Sequence, residues 1–350
     1  MNLQSSISII IPVHNGSTWI DQCFNGILEQ QLAPDTQIEI CVCNDASNDN
    51  TVDLLKKWNI LLQNKIPLKI YNNESGKPRG VGYSKNRAVS ISSGAYLCFQ
   101  DIDDIMLPVR ILEQYKQAKI LPNNTIVGCQ FKRAPENSTK RYTCWANSLS
   151  EEKLQTQIYT SHGPTIIMPT WFCHRTVFEK VGGFSEEGAG TPEDLIFFYK
   201  HLDLEGKICR INQCLLIYTY HPNATTFSIE ESIIWQIRLD RLQRIILNKW
   251  EKFTIWNAGK QGRKFYNSLS EEHQKKVLAL CDVDEKKIGK KYISFNPETR
   301  HNGRPLDIIH FRKAVPPFVI CVKIDLTNGE FEKNLLSLQL IENVDYVLFS

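Results

Sequence analysis

The chain has 350 residues, with 41 Lys and Arg against 38 Asp and Glu and a net charge of +3. Apolar residues make up 42% and charged residues 23%, with 18 Gly and 15 Pro, which excludes a disordered, collagenous or coiled-coil chain. The length fits two domains, and the near-neutral total argues against a uniformly basic nucleic-acid binder.

The first predicted element is a buried strand from Ile7 to Val13, closed by the turn residues His14-Asn15-Gly16. Ser17 to Gln30 then places Trp19, Ile20, Cys23, Phe24, Ile27 and Leu28 on one helical face. Ile38 to Cys43 reads as a second buried strand, ended by Asn44-Asp45-Ala46-Ser47, and a helix begins at Thr51. Leu68 to Tyr71 is a third strand and Gly82 to Ser92 a helix. Ala95 to Phe99 is a fourth strand that stops at Asp101-Ile102-Asp103-Asp104. Strands alternating with helices predict a parallel α/β sheet covered on both faces. Ligands of such sheets sit beyond the carboxyl ends of the strands, where each of these polar clusters falls. Ser228 to Trp250 reads as one long amphipathic connecting helix. A strand–helix–strand rhythm restarts at Phe253, so the expected organisation is 1–228, a connector over 229–251, and a smaller α/β domain over 252–350.

No basic segment precedes the first strand, and no stretch of about 18 apolar residues occurs. The 11 Cys include no CxxC pair. The reading therefore expects a cytoplasmic protein with free thiols and no membrane span.

Three carboxylates within four residues, Asp101, Asp103 and Asp104, repel one another unless a cation or hydrogen-bond donors compensate them. Oxygen ligands suit Mg2+ or Mn2+ bridging to substrate phosphates; the plainer alternative is a solvated acidic turn. Thr191-Pro192-Glu193-Asp194 reads as a helix start, with acids near the positive end of the dipole. Asp45 reads equally well as a helix cap shared with Ser47.

Five motifs occur in order: Ile9-Ile10-Ile11-Pro12-Val13-His14-Asn15; Cys43-Asn44-Asp45-Ala46-Ser47 with Asp49 and Thr51; Gly80-x-Gly82-x-x-Lys85-Asn86; the Asp triplet; and Pro192-Glu193-Asp194. Together they resemble the family 2 glycosyltransferases of the GT-A fold over roughly the first 225 residues. The resemblance implies an inverting sugar transferase with a Rossmann-like GT-A domain, followed by a smaller Rossmann-like domain. It implies a nucleotide pocket formed by Pro12, His14, Asn15 and Asp45, with Asp45 accepting the uracil N3–H. Arg79 and Lys85 become the cations for the diphosphate. Asp101 and Asp103 become the residues that reach the sugar diphosphate and its Mn2+ or Mg2+, with His221 as a further metal or phosphate contact. Asp194 becomes the general base, with Glu193 beside it orienting the loop or donor sugar. Trp171 and Gly163 fall on the acceptor side, although an aromatic in an apolar run is more often core.

Longer stretches are more particular. Arg79-Gly80-Val81-Gly82-Tyr83, Gly163-Pro164-Thr165 with Met168-Pro169-Thr170-Trp171-Phe172-Cys173, and Phe253 to Arg263 are similar to the queuosine-tRNA galactosyltransferases. So is Pro316 to Lys323. That likeness implies UDP-galactose as donor and a tRNA carrying queuosine in its anticodon as acceptor, with no membrane partner. The rival readings are a UDP-GlcNAc or other UDP-sugar transferase acting on a glycan or small molecule, and an inactive nucleotide-sugar or RNA-binding module.

In the last part of the chain, Asn257-Ala258-Gly259-Lys260-Gln261-Gly262, with Asp282 further on, resembles a dinucleotide-binding turn that has Asn in place of its first Gly. A tight turn with close helix packing is the better reading of it. Residues 252–313 hold 14 Lys and Arg against 7 Asp and Glu, and the remaining residues 27 against 31. The small total charge thus hides a basic segment attached to an acidic one. Arg263, Lys264, Lys286, Lys287, Lys290 and Lys291 are the candidate phosphate contacts for tRNA.

Overall fold

The protein is described by a computed structural model covering residues 6–161, 163–222, 224, 228–296, 300–324 and 326–350. It divides into two compact units, Met1–Leu154 with Gly163–Ile233, and Gln155–His162 with Ile234–Ser350.

The first unit opens with β1 (Ser6–Val13), α1 (Ile20–Leu28), β2 (Gln37–Asn44), α2 (Thr51–Leu61), β3 (Leu68–Asn72), α3 (Val81–Ser90) and β4 (Tyr96–Phe99). These match the predicted elements to within a few residues, because the signals behind them are strong. β1 and β2 carry unbroken apolar runs, as parallel strands covered on both faces must. Helix α1 sets Ile20, Cys23, Phe24 and Ile27 against Ile7, Ile9 and Ile11 in one core. The unit continues with β5 (Ile105–Met106), α4 (Arg110–Ile120), β6 (Thr125–Ala134), α5 (Lys140–Ser148), α6 (Glu151–Thr156), β7 (Phe172–His174), α7 (Arg175–Val181), α8 (Glu193–Asp203) and β8 (Lys207–Thr219).

Its eight strands lie in the order β3-β2-β1-β4-β7-β6-β8-β5. The sheet is mixed rather than parallel. β3, β2, β1 and β4 run parallel, but β7 is antiparallel to both β4 and β6, and β5 is antiparallel to β8. Both antiparallel strands are short, Ile105–Met106 and Phe172–His174. The parallel half still points the ends of β1, β2 and β4 to one edge of the sheet.

The main part of the second unit opens with α9 (Glu231–Leu242), which widens into a π turn over Gln243–Leu247 instead of running evenly to Trp250. Then follow β9 (Phe253–Trp256), α10 (Lys260–Ser268), α11 (Glu271–Lys276), β10 (Val277–Asp282), β11 (Lys291–Tyr292), β12 (Phe295–Asn296), β13 (His301–Asn302), β14 (Leu306–His310), β15 (Phe318–Ile320), α12 (Glu330–Leu336) and β16 (Tyr346–Leu348). The main sheet is β11-β14-β10-β9-β15-β16, parallel except for β11.

The division corrects the expected boundary near 252. Most of α9 belongs to the second unit, as does the excursion 155–162. The reason is the apolar face of α9: Trp235 meets Phe349 edge-on at 4.9 Å, and Arg241 donates to the Tyr159 hydroxyl at 2.7 Å. Periodicity shows that a helix has such a face but not which core receives it.

Candidate functional site

Loops after β1 and β2 are stitched together at the carboxyl edge of the first sheet. The N–H groups of Asn15, Gly16 and Ser17 donate to Ser47 Oγ (2.9 Å), Thr51 Oγ1 (2.9 Å) and Asp49 Oδ2 (3.1 Å). Asp49 also accepts the Thr51 N–H, and these donors hold its pKa at about 2 against the opposing effect of burial. Asp49, not Asp45, thus braces the start of α2. His14 Nδ1 lies 2.7 Å from the Asp45 carbonyl, and His14 and Asn15 are exposed at the mouth beside half-buried Pro12.

Asp45 is only 2% exposed. Its carboxylate accepts Asn73 Nδ2 at 2.6 Å and the N–H groups of Arg79 and Gly80 at 2.8 Å each. It therefore closes the 73–80 loop, leaving about one of its four acceptor positions for a ligand. Gly80 has φ +97°, and a side chain on Gly82 would meet the Ser185 carbonyl oxygen at 1.9 Å. The Gly80-x-Gly82 spacing is thus explained by two backbones passing in contact.

Arg79 stacks its guanidinium 4.1 Å above the Tyr83 ring and lies 3.6 Å from Glu186. Lys85 is not the loop cation the sequence suggested. Its side chain is 3% exposed and pairs with Glu193 Oε1 at 2.9 Å. Burial opposes its charge, but Glu193, Asp101 and Asp194 outweigh burial and raise its pKa.

The Asp turn follows β4. One carboxylate oxygen from each of Asp101, Asp103 and Asp104 lies within 4.8 Å of the others. Asp103 Oδ2 is 2.8 Å from His221 Nε2, and the His221 ring is 5.4 Å from that of Trp19. Asp104 is fully buried; one oxygen accepts the Thr219 N–H at 2.9 Å and the other has no partner. Asp101 Oδ1 is likewise buried and unpartnered. Burial first, then Asp103 and Glu193, raise Asp101 to about 6 against the pull of Lys85 and Arg110. Burial, Asp103 and Asp101 raise Asp104 well above the usual range. Orphaned oxygens on crowded carboxylates are what a hard divalent cation such as Mn2+ or Mg2+ relieves, so the residues fit one.

Asp194 stands in the first turn of α8. Its Oδ1 accepts the N–H of Leu195 at 2.7 Å. Gly163 lies beside the second oxygen: a side-chain carbon there would stand 3.7 Å from Oδ2, an ordinary contact distance. Burial, then Glu193, push Asp194 up to about 7, with Lys85 opposing. The Lys85–Glu193 pair therefore links the Asp turn electrostatically to Asp194.

The expected acceptor-side role of Trp171 is overturned. Trp171 is 0% exposed, donates its Nε1–H to the Ile166 carbonyl, and packs against Phe184, Phe197 and Phe198. A ring with no free face cannot stack on a ligand. Several of the expected basic contacts are also engaged. Lys287 pairs with Asp282 at 3.0 Å and Asp284 at 3.5 Å, and Lys291 lies 3.7 Å from Asp307. Arg263 donates to the Ala258 carbonyl and stacks 5.1 Å from the Tyr292 ring centre, while Lys264 sits 3.9 Å from that of Trp235. Lys286 and Lys290 are exposed and form no ion pair among the described residues.

The turn after β9 is a staple. Asn257 accepts the Gly259 N–H and donates to the Cys321 carbonyl. Asp282 accepts the Ala258, Val283 and Asp284 N–H groups. A side chain at Gly262 would strike the Asn257 carbonyl oxygen at 1.7 Å, which accounts for the close packing of α10.

Asp104 and Asp49 entered the sequence reasoning only as members of motifs, without roles of their own, and Asn73 and Arg110 escaped it. The Asp triplet and the Asp49-x-Thr51 spacing carried a signal for the first two. Nothing comparable marks Asn73 or Arg110.

Residues 8–182, half of the chain, match the family model Glycosyl transferase family 2, and the protein belongs to that family. The chondroitin synthase of Pasteurella multocida (strain Pm70) is 23% identical over 350 residues, covering 98% of this chain and 34% of that protein. The chain thus spans about a third of the length of this curated relative. Among solved structures, S. aureus TarS 1-349 in complex with UDP-GlcNAc superposes with a TM-score of 0.55 at 17% identity, covering 77% of each chain. The mannosyltransferase PcManGT from Pyrobaculum calidifontis, in complex with GDP-Man and Mn2+, gives a TM-score of 0.51 at 18% identity, over 66% of this chain and 60% of that one. These likenesses establish the GT-A fold. Among the described residues no helix is long and apolar enough to cross a membrane.

Proposed function

We propose that the protein is an inverting glycosyltransferase that moves a hexose from a UDP-sugar to an acceptor hydroxyl. The observation that carries this reading is the pairing of the Asp101–Asp104 turn, with its two orphaned oxygens, and Asp194, raised to about 7 beside it. Pro12, His14, Asn15 and the remaining acceptor position of Asp45 would hold the uridine. Arg79, exposed at the rim, is the better cation for the diphosphate, since Lys85 is committed to Glu193. Asp101 and Asp103, with Asp104 behind them and His221 beside Asp103, would hold the cation, which when bound offsets charge on the departing diphosphate.

Asp194 Oδ2 takes the acceptor proton. The hydroxyl oxygen bonds to the anomeric carbon on one face while the bond to the UDP oxygen breaks on the other. A base whose pKa lies near neutrality suits this transfer. The Leu195 N–H fixes Oδ1, so Oδ2 is the atom left to act.

The acceptor has two readings. A glycan hydroxyl is favoured by the match of 98% of this chain to 34% of a chondroitin synthase, and the comparisons lean toward it. Queuosine in tRNA, with UDP-galactose as donor, is favoured by the particular stretches around Arg79, Gly163, Phe253 and Pro316 and by the excess of basic residues over 252–313. One assay separates them: labelled UDP-galactose, UDP-glucose and UDP-GlcNAc are each incubated with Mn2+ and oligosaccharides, or with tRNA containing or lacking queuosine. Label in queuosine-containing tRNA alone selects the second reading, and label in an oligosaccharide selects the first. EDTA should abolish transfer and Mn2+ or Mg2+ restore it. Neither transfer nor donor hydrolysis under any condition would refute both.

A further inference from the structure

Arg110, the first residue of α4, is 0% exposed, yet no carboxylate lies within ion-pair distance of it among the described residues. An arginine stays charged in any protein environment, and burying a charge costs several kcal/mol unless it is compensated. Four neutral oxygens surround the guanidinium. Nε donates to Gln114 Oε1 at 3.0 Å and Nη1 to Gln100 Oε1 at 2.7 Å. Nη2 donates to the Phe99 and Pro169 carbonyls at 2.8 and 2.7 Å.

Gln100 is the informative neighbour. With its oxygen on the guanidinium, its amide nitrogen must face the other way. There Nε2 donates to the carbonyls of Asp101 and Asp104, both at 2.8 Å. One amide thus holds both ends of the acidic turn, whose own Asp104 N–H to Asp101 carbonyl bond is longer, at 3.2 Å. Gln114 is oriented in the same way and donates to the Val127 and Thr170 carbonyls.

From this arrangement we infer that Arg110 is a positioning residue for the cation site. It sets the Gln100 amide so that the turn presents its carboxylates together. The inference rests on the reading of Asp101–Asp104 as a cation site. Partners that orient a metal's ligands are worth about 10–100-fold in metal affinity or activity.

The test uses Mn2+ itself, titrated into the full chain with UDP present and followed by electron paramagnetic resonance, alongside melting temperature and transfer kinetics. Gln100→Met leaves Arg110 in place and removes the grip on the turn. It should stay folded and lose about tenfold or more in Mn2+ affinity. Arg110→Lys, which keeps the charge but not the fork, should fall between wild type and Arg110→Met in affinity. Raising Mn2+ should restore kcat in Gln100→Met, which a merely structural defect would not allow. Wild-type Mn2+ affinity in folded Gln100→Met would overturn the positioning role alone. Absence of Mn2+ binding by the wild-type chain would overturn the cation site and this inference with it.

Discussion

Replacing Lys85 with Met keeps the apolar stem and removes one charge from the centre of the site. The ammonium lies 2.9 Å from Glu193 Oε1, and the two side chains are 3% and 12% exposed. Deleting one partner of so enclosed a pair strands the other charge, at a cost of about 3–5 kcal/mol. For a domain of this size, each kcal/mol lowers Tm by about 2–4 °C. Calorimetry should therefore show the melting of the first unit falling by about 6–20 °C. A second effect reaches the chemistry. Burial and Glu193 raise Asp194, and Lys85 opposes them; without Lys85 the pKa climbs further above about 7. The proton-accepting form then becomes scarcer at neutral pH, and the rising limb of kcat/KM against pH moves to higher pH. Lys85→Met combined with Glu193→Gln removes the stranded charge and should recover most of the lost stability. If Lys85→Met melted within about 2 °C of wild type with an unchanged pH profile, the pair would not be holding the site together.

Asp194→Asn should retain UDP binding and lose transfer by about 10²–10⁴-fold, the usual worth of one positioned base; in the wild type, kcat/KM should rise with pH through about 7 and then level. Glu39, paired with Lys69 at 2.7 Å and hydrogen-bonded by Ser8 and Ser93, has its pKa held at about 2 despite the opposing effect of burial. A depressed carboxylate stabilises above its unfolded pKa, and that contribution disappears as pH falls through the folded one. Urea titrations should thus show Glu39→Gln less stable than wild type at pH 7, with the gap shrinking below about pH 4.5 and closing near pH 2. Gly82→Ala would push a methyl against the Ser185 carbonyl oxygen, which is backbone and has no rotamer to change. A loss of about 1–3 kcal/mol is expected in thermal melts, and an unaffected Tm would show that the 185–189 loop is not seated on α3.

The parallel half of the first sheet was legible because continuous apolar runs ended in turn residues, and the carboxylates at those ends followed. Other features depend on partners distant in sequence. Lys85 looks like a solvated loop cation until α8 returns Glu193 to it. Trp171 has the composition of either a ligand platform or a core, and only the arrival of Phe184, Phe197 and Phe198 decides. Arg110 reads as an ordinary charge at a helix start, since nothing local shows that the end of β4 and the 168–170 segment close over it. The antiparallel placement of β7 was hidden because three residues are too few to carry a periodic signal.

The excursion 155–162 has a consequence for how the chain comes to be folded. The polypeptide passes between the two units after Leu154, again before Gly163, and a third time after Ile233. Tyr159 depends on groups made much later: its hydroxyl receives Arg241 and its carbonyl the Ser350 N–H. A polypeptide emerging from the ribosome must therefore hold a nearly complete first unit with an apolar segment, including Ile158 and Tyr159, still lacking its partners. No single cleavage can release either unit whole. Limited proteolysis would nick the protein without separating its halves, and their folding is coupled by the path of the chain itself.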